Sequence, residues 1–355
     1  MKDIHSDNIN RLEMLISQAR RIAIVTHMKP DGDAMGSSIA LYHFIGMSGG
    51  HSIKIVLNDR YPDYLGFLAE DIPASDIIVY QERPVEAETA IKDSDLVICL
   101  DFNAFHRADK LEHALTESKA DKILIDHHLN PSREAFDLTF SETDISSASE
   151  LLYHILMETG RIAHDASMLP PHAATALMTG MTTDTNNFAN STYPSTLRMA
   201  SALLASGVDR DEILSRIYNQ YGENRLRILG HMMKDLLTIT EDGVAYIVLD
   251  KKTLEQYNVQ EGDTEGFVNM PLSIAEVRMS ILIKEDTDRV RVSIRSKKGT
   301  SANTCAKLYF NGGGHENAAG GKLNIPGDIS GISEAAGYIE KATHEYLIKE
   351  NGNKD

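Results

Sequence analysis

Residues 21–33 read Arg-Ile-Ala-Ile-Val-Thr-His-Met-Lys-Pro-Asp-Gly-Asp, an apolar run followed at once by a histidine and two acids. The run from Ile22 to Thr26 has the length and the β-branched composition of a buried strand. In open α/β sheets, ligands bind at the carboxyl ends of the strands. The stretch therefore predicts an α/β domain with a polar site just beyond its first strand.

The same arrangement recurs further along the chain. Asp101 follows the apolar run Leu96–Leu100, and Asp126-His127-His128 follows residues 122–125. A lone carboxylate after a buried strand is costly unless a cation or a donor compensates it. Singly, each residue has an ordinary structural alternative: Asp33 could cap the helix that follows the first strand, the histidines could be surface or satisfied histidines, and Asp184 in residues 182–185 could form an Asx-turn or a helix cap. Their recurrence at strand ends favours a shared metal site.

Strand and helix patterns alternate through about residue 225, which predicts a doubly wound, mostly parallel sheet with crossover helices. A smaller C-terminal α/β domain with a mixed sheet follows. We expect domain 1–222, a helical linker 223–240 and domain 241–355. The predicted strands are Ile22–Thr26, Ile53–Leu57, Ile77–Tyr80, Leu96–Leu100, Ile123–Ile125, Val244–Leu249, Val277–Lys284 and Val290–Arg295, and the predicted helices include Ser37–Met47, Ser149–Glu158 after a capping box at Ser147, and Ile332–Leu347.

Composition and charge exclude several classes of protein. A single core stops growing at about 250 to 300 residues, so the 355-residue chain predicts two domains. The net charge of −17 repels a long polyanion, so we do not expect long duplex DNA as a partner. No apolar run has the length of a membrane span, and the two cysteines, Cys99 and Cys305, are predicted as buried thiols. We expect a cytoplasmic protein with no membrane partner.

The candidate metal ligands are rich in carboxylate oxygen, include two imidazoles and contain no thiolate. This set suits Mn²⁺ or Mg²⁺ better than structural zinc. It exceeds what one ion with open positions needs, so we predict two ions about 3.5 to 4 Å apart that share a carboxylate and promote phosphoester hydrolysis. The candidates are His27, Asp31, Asp33, Asp101, His127 and Asp184.

A glycine-rich loop is the second informative segment. Gly312-Gly313-Gly314-His315 could turn backbone N–H groups inward as an anion nest, with Arg295 and Ser296 as further donors. Taken alone, a hairpin or helix-entry loop is the more common outcome for such a stretch. The basic cluster that precedes the loop in sequence favours phosphate binding.

Together these motifs resemble the DHH/DHHA1 phosphoesterase family, and most closely its branch of oligoribonucleases and 3′-phosphoadenosine 5′-phosphate (pAp) phosphatases. The matching segments span most of the chain. They are His27-x-x-Pro-Asp-Gly-Asp33 with Gly36-Ser37, Asp101 with Arg107, Asp126-His-His128, Thr183-Asp-Thr185 with Phe188, Val292–Lys297 and Gly312–Gly320. Phe102 departs from the family pattern, which has a small residue at this position. We expect Phe102 to reshape the wall of the substrate site that lies beside the nucleotide base.

The resemblance implies a role for each matching residue. His27, Asp31 and Asp101 would hold one Mn²⁺, and Asp33, Asp101, His127 and Asp184 the other, with Mg²⁺ as the alternative ion. His128 would contact the scissile phosphate or protonate the leaving group, and Asp126 would orient a ligand histidine. The implied substrate contacts are Arg107, Arg295, Ser296, Gly313, Gly314 and His315.

The leading hypothesis is a manganese-dependent enzyme that degrades short RNA to mononucleotides and removes the 3′-phosphate of pAp. A phosphodiesterase for linear or cyclic dinucleotides is the first alternative, and an exopolyphosphatase the second. A non-catalytic dinucleotide sensor would not need the whole ligand set, and a DNA exonuclease conflicts with the charge. The expected partner is a short RNA or a nucleotide, and a homodimer is left open.

Overall fold

The computed structural model describes residues 3–219, 222–260, 262–286 and 289–352. The chain divides into two compact units, residues 1–220 and 221–355. In the described residues, no helix has both the length and the apolar character needed to cross a membrane.

The first unit is built on a six-stranded parallel sheet in the order β3-β2-β1-β4-β5-β6. The predicted doubly wound α/β class is therefore confirmed. The strand order reverses between β1 and β4, and such a switch point leaves a crevice at the carboxyl ends of the two strands. The strands are β1 (Arg21–Thr26), β2 (Ser52–Leu57), β3 (Ile77–Val79), β4 (Leu96–Leu100), β5 (Asp121–Asp126) and β6 (Leu138–Ser141).

Helices cover this sheet, and their buried side chains form its core. All of the first ten residues of helix α2 are buried, so this part of the helix has no polar face exposed to solvent. The helices are α1 (Ser6–Gln18), α2 (Gly32–Gly46), α3 (Pro84–Lys92), α4 (Glu112–Glu117), α5 (Ala148–Met157), α6 (Pro171–Asp184), α7 (Pro194–Ala205) and α8 (Arg210–Tyr218).

Helices α2 and α6 run antiparallel and approach each other closely. A Cβ on Gly36 would lie 2.5 Å from the carbonyl oxygen of Ala176, and one on Gly32 would lie 2.3 Å from Thr183 Oγ1. Gly32 has no positive φ, so its position requires a small side chain and not an unusual backbone conformation. The close packing joins the amino-terminal end of α2 to the carboxy-terminal end of α6.

The second unit carries a six-stranded mixed sheet in the order β11-β12-β10-β9-β8-β7. Strands β8 and β9 are parallel and the other pairs are antiparallel, which confirms the predicted mixed sheet. The elements are α9 (Glu223–His231), β7 (Thr238–Ile239), β8 (Val244–Leu249), α10 (Lys251–Gln256), β9 (Met279–Glu285), β10 (Val290–Ser296), α11 (Ala302–Tyr309), β11 (Gly313–Gly314), β12 (Ala318–Leu323) and α12 (Ala335–Gly352).

Two segments differ from the elements that the sequence predicts. Helix α2 begins at Gly32, earlier than the expected Ser37, because the Asp31 side chain caps it by accepting from the N–H groups of Asp33 and Ala34. The segment 223–240, predicted as a helical linker, contains α9, a π-helical turn at Met232–Leu236 and strand β7, which pairs with β8.

Candidate metal centre

The candidate ligands meet at the carboxyl ends of three neighbouring strands. His27 follows β1, Asp101 follows β4, and His127 follows β5. Because β4 lies between β1 and β5 in the sheet, Asp101 lies between the two histidines. Asp101 Oδ2 is 3.4 Å from His27 Nε2, and Asp101 Oδ1 is 3.4 Å from His127 Nε2. The carboxylate of Asp101 thus lies at the middle of the cluster.

The backbone of Asp101 has an unusual conformation. Its φ is +62°, in the left-handed region that non-glycine residues seldom adopt. Its N–H donates to the carbonyl oxygen of Ile125 at 3.1 Å, which extends the pairing of β4 with β5 by one residue. Strained backbone of this kind clusters at functional sites, where the surrounding structure holds it.

Asp31 and Asp33 each combine a structural contact with a place in the cluster. Asp31 Oδ1 caps α2 and lies 3.8 Å from His27 Nε2. Asp33 accepts from the N–H groups of Ala148 at 2.6 Å and Ser149 at 2.8 Å, and its Oδ2 lies 3.9 Å from His127 Nε2. The sequence alternative in which Asp33 caps the helix after β1 is therefore wrong: Asp31 caps α2, and Asp33 holds the start of α5.

Asp184 reaches the cluster from α6, of which it is the last residue. Its Oδ2 lies 3.8 Å from His127 Nε2. The predicted ligands of the first unit therefore all lie around Asp101, although they come from widely separated parts of the chain.

His128 points to a different partner than His127 does. Its Nδ1 lies 2.7 Å from Oδ1 of Asp126, which is fully buried at the end of β5. With Nδ1–H as the donor, the bond sets the tautomer and leaves Nε2 to face another group. The resemblance assigns Asp126 to a ligand histidine, whereas this bond is made to His128.

The pKa shifts show that the cluster attracts positive charge. Burial alone would lower the pKa values of His27 and His127, but bonding to Asp101 and the neighbouring acids raises both well above the usual value. Burial and repulsion from Asp101 raise the pKa of Asp33 to about 7, and burial raises that of Asp184. Burial would also raise the pKa of Asp101, but hydrogen bonding and attraction from His127 and His27 hold it far below the usual range. Bound protons here compensate charge that a metal cation would also compensate.

The donor set fits divalent cations. His27, Asp31 and Asp101 bring ligand atoms within 4.8 Å of one another, as do Asp33, Asp101 and His127, so the two groups share Asp101. Asp101 Oδ1 is buried, and His127 Nε2, 3.4 Å away, does not complete a well-aligned hydrogen bond to it. A buried carboxylate oxygen without a donor is costly, and a cation would satisfy it. Carboxylates mixed with imidazoles suit divalent metals of the first transition row.

Two further residues of the first unit bear on the predicted site. The carbonyl oxygen of Arg107 accepts from the Met28 N–H at 2.8 Å, so Arg107 lies beside the loop that follows His27. Phe102 is fully buried within an apolar cluster that includes Cys99 and Ala108. The expectation that Phe102 reshapes a base-side wall is wrong, because its ring has no accessible surface.

The predicted substrate contacts of the second unit gather at one end of β10. Ser296 is buried and its hydroxyl donates to the carbonyl oxygen of Thr300 at 2.6 Å. The N–H of Gly314 donates to Asn303 Oδ1 at 3.1 Å, and that of His315 donates to the carbonyl oxygen of Ala318 at 2.8 Å. These N–H groups already have acceptors on α11 and at the start of β12, so the predicted anion nest is not formed by them.

Sequence reasoning missed the residues that support the loop after His27. Asp59 Oδ2 accepts from the N–H of Lys29 at 2.7 Å and from Asn58 Nδ2 at 2.8 Å, and Gln81 Nε2 donates to Asp59 Oδ1 at 2.6 Å. The signal was present, because Asn58 and Asp59 directly follow β2.

Comparisons with known proteins agree with this geometry. Residues 21–181 match the DHH family N-terminal domain, and residues 227–341 match the DHHA1 domain. The bifunctional oligoribonuclease and PAP phosphatase NrnA of Bacillus subtilis is 28% identical over 87% of this chain and 91% of its own length. A probable enzyme of the same name from Streptococcus mutans is 30% identical over 84% of this chain and 88% of its own.

Two further matches are informative. The cyclic-di-AMP phosphodiesterase GdpP of Geobacillus thermodenitrificans is 27% identical over 95% of this chain but only 49% of its own length. The crystal structure of an exopolyphosphatase-related protein from Bacteroides fragilis superimposes with a TM-score of 0.88 at 35% identity, covering 99% of each chain. The matches and the arrangement of ligands around Asp101 agree: the chain belongs to the DHH/DHHA1 phosphoesterase family.

Proposed function

We propose that this protein hydrolyses short oligoribonucleotides to mononucleotides and removes the 3′-phosphate of pAp, using two bound Mn²⁺ ions. The observation that carries the proposal is the position of Asp101, which two separate groups of candidate ligands share. The NrnA relatives, named for these two activities, align over most of the chain and support the choice of substrate.

In the proposed site, His27, Asp31 and Asp101 hold one ion, and Asp33, Asp101, His127 and Asp184 hold the other. Bound divalent ions supply positive charge that binds the scissile phosphate and lowers the pKa of water. The protein contributes the fixed positions of the carboxylates, since Asp31 and Asp33 are each held by backbone N–H groups. Mg²⁺ is the alternative ion, because the ligand set is dominated by oxygen.

His128 is the proposed proton donor to the leaving oxygen. Its bond to Asp126 fixes the ring and favours the form with a proton on Nδ1. Nε2 is then the atom that faces the substrate and delivers a proton when the imidazole is charged. Asp126 is a positioning residue in this scheme, because it acts through His128.

Arg107 is the proposed contact for a substrate phosphate in the first unit. Within the described part of the chain, its guanidinium group has no hydrogen bond or ion pair, and its backbone is tied to the loop after His27. Guanidinium groups bind phosphate oxygens through charge-assisted hydrogen bonds. For the second unit we propose substrate contacts at Arg295, Ser296, Gly313, Gly314 and His315, where short hydrogen-bonding groups and small residues lie at one end of β10.

A second candidate activity is hydrolysis of cyclic or linear dinucleotides. The alignment with the cyclic-di-AMP phosphodiesterase covers 95% of this chain, so both units have counterparts in that enzyme. The same metal centre serves either reaction, because both break a phosphoester bond. The relative turnover of short RNA and of cyclic di-AMP distinguishes the two activities.

The test is Mn²⁺-dependent turnover of 5′-labelled RNAs of two, three, five and 24 residues, of pAp and of cyclic di-AMP. We expect rapid loss of the shortest RNAs and of pAp. Asp101→Asn should abolish turnover, because the amide cannot serve as a shared anionic ligand, and asparagine tolerates positive φ. Asp63→Asn is the matched control, since Asp63 is exposed and lies in a separate 3₁₀ segment.

Faster turnover of cyclic di-AMP than of dinucleotide RNA would replace the proposal with the dinucleotide activity. Absence of turnover for every substrate, with the same metal affinity in wild type and Asp101→Asn, would overturn the metal-dependent mechanism. Unfolding curves of both variants establish that each is folded.

A further inference from the structure

Three segments that follow neighbouring strands of the first sheet contact one another beside the candidate metal centre. The loop 27–31 follows β1, the dipeptide Asn58-Asp59 follows β2, and the segment Phe105–Leu111, which includes Arg107, comes soon after β4. We call them the His27 loop, the Asn58–Asp59 pair and the Arg107 segment. Since the strands are parallel and β1 lies between β2 and β4, the three segments leave the sheet at the same edge.

The side chain of Asp59 binds the backbone of the His27 loop. Its Oδ2 accepts from the Lys29 N–H at 2.7 Å, and its Oδ1 accepts from Gln81 Nε2 at 2.6 Å. Lys29 has a φ of +54°, in the left-handed region that residues other than glycine seldom adopt. The bond to Asp59 therefore helps to hold the loop in a conformation that its own backbone does not favour. The two candidate ligands at the ends of the loop depend on that conformation.

Asn58 links the Arg107 segment to the same place. Its side chain is buried, and Oδ1 accepts from the Lys110 N–H at 3.1 Å. The preceding residue, Asp109, also has a positive φ, of +49°. A separate bond, from the Met28 N–H to the carbonyl oxygen of Arg107 at 2.8 Å, joins the Arg107 segment to the His27 loop. Because Asn58 Nδ2 donates to Asp59 Oδ2 at 2.8 Å, the three segments form one hydrogen-bonded unit.

We propose that Asn58 and Asp59 are positioning residues of the metal centre: they hold the His27 loop at the geometry that one divalent ion requires and hold Arg107 beside it. The inference rests on the proposed two-metal function. In the described part of the chain, Asp59 belongs to no group of residues whose ligand atoms converge, so it acts through the His27 loop and not as a ligand.

The effect should be confined to one of the two ions. His27 and Asp31 lie at the ends of the His27 loop and form one group of candidate ligands with Asp101. Asp33, in the other group, is held by backbone N–H groups at the start of α5 and not by Asp59. Removal of a residue that orients a metal ligand typically weakens metal binding about 10- to 100-fold. Loss of the Asp59 carboxylate should weaken the first ion by this factor and leave the second nearly unchanged.

The test is Mn²⁺ binding to chelator-treated full-length protein without substrate, measured from the electron paramagnetic resonance signal of unbound Mn²⁺. Wild type should bind two ions, and Asp59→Ala should bind one of them about 10- to 100-fold more weakly. Asp59→Asn should recover most of the loss, because its amide oxygen still accepts from Lys29 and the Gln81 amide can turn to accept from the new Nδ2. If Asp59 acted through its charge, asparagine would not restore binding.

Asp76→Ala is the matched control. The Asp76 carboxylate likewise accepts from several donors, among them Tyr42 Oη at 2.7 Å and Lys54 Nζ at 2.7 Å. Asp76 directly precedes β3, so it lies at the amino ends of the strands, at the opposite edge of the sheet from the metal centre. This variant should lower the midpoint of thermal unfolding, as Asp59→Ala does, but leave both Mn²⁺ affinities unchanged.

Turnover gives a second measurement, directed at Arg107. In saturating Mn²⁺, Asn58→Ala should raise KM for pAp more than it lowers kcat, because the Arg107 segment loses its bond at Lys110. Thermal unfolding establishes whether this variant, which changes a buried residue, is folded; the Asp59 variants carry the test if it is not. An unchanged KM in folded Asn58→Ala would contradict the positioning of Arg107.

Equal Mn²⁺ affinities in wild type and Asp59→Ala would overturn the positioning role while leaving the proposed function intact. Equal weakening of both ions in Asp59→Ala and Asp76→Ala would overturn it as well, since the effect would then follow overall stability. Absence of both Mn²⁺ binding and turnover in wild type would overturn the proposed function and this inference with it.

Discussion

Asp33 holds the start of α5 through Ser149, whose backbone N–H donates to Asp33 Oδ1 at 2.8 Å. The other oxygen accepts from the N–H of Ala148 at 2.6 Å. These N–H groups belong to the positive end of a helix and would otherwise lack partners. Asp33 therefore stabilises the fold and supplies a candidate ligand with the same carboxylate, whereas Asp31 uses one oxygen to cap α2.

Asp33→Asn should therefore cost more stability than Asp31→Asn. An amide replaces one accepting oxygen of Asp33 with a donor, so one backbone N–H loses its partner, at about 1 to 3 kcal/mol. Asparagine is a good N-cap, so Asp31→Asn should change stability by no more than about 0.5 kcal/mol. Urea unfolding of chelated protein at pH 8.5, above the Asp33 pKa of about 7, measures both. Equal losses would contradict the anchoring role of Asp33.

Gly36→Ala should destabilise the first unit strongly. Its Cβ would lie 2.5 Å from the carbonyl oxygen of Ala176, and backbone on a packed helix cannot move away cheaply. Overpacking of this kind costs about 1 to 3 kcal/mol. Gly46→Ala, on the same helix but with no atom within 4 Å of the added Cβ, should be neutral or stabilising by up to about 1 kcal/mol. Thermal unfolding of the pair tests whether α2 and α6 pack this closely.

Two neighbouring variants, Gly312→Ala and Gly313→Ala, should distinguish an effect on folding from an effect on substrate binding. A Cβ on Gly312 would lie 1.9 Å from the carbonyl oxygen of Gly320, whereas one on Gly313 would make only ordinary contacts of 3.5 Å and more. Gly312→Ala should therefore lower stability. Gly313→Ala should keep stability and raise KM for short RNA about tenfold, through crowding against the substrate. An unchanged KM in a folded Gly313→Ala protein would remove Gly313 from the substrate contacts.

Glu150 should stabilise the first unit in a pH-dependent way. Its side chain is fully buried, and Oε2 accepts from the Ser146 N–H at 3.1 Å and from the Thr196 hydroxyl at 2.7 Å. Burial alone would raise its pKa, but bonding to His154, Ser146 and Thr196 lowers it from 4.5 to about 2. Since the pKa is lower in the folded state, the stabilisation is complete above pH 4.5 and is lost as the pH falls towards 2.

Glu150→Gln should remove this pH-dependent contribution to the free energy of unfolding, which is on the order of 3 kcal/mol above pH 5. Urea unfolding between pH 2 and pH 7 should show wild type and Glu150→Gln converging as the pH falls. Glu134→Gln, at an exposed position in a 3₁₀ turn, is the control. A difference between wild type and Glu150→Gln that stays constant with pH would show that shape, and not charge, makes Glu150 stabilising.

Much of the first sheet could be predicted because its strands are short apolar runs with polar residues at their ends. Strand β4 was predicted with its observed bounds, and β1, β2 and β5 within one or two residues. Strand β6 was missed, since its sequence Leu-Thr-Phe-Ser is only four residues long. The glycine loop was predicted to expose its N–H groups, but pairing with β12 and a bond to Asn303 use them.

The sequence by itself determined which residues could bind a metal, because a strand and the polar residues after it are adjacent in the chain. The tertiary structure decided which of them meet. Asp101 lies between His27 and His127 only because β4 inserts between β1 and β5. Likewise, Asp33 bonds to backbone 115 residues away, and His43 faces His172 across two helices. Local patterns specify elements, whereas strand order and helix packing depend on contacts between distant segments that no local pattern contains.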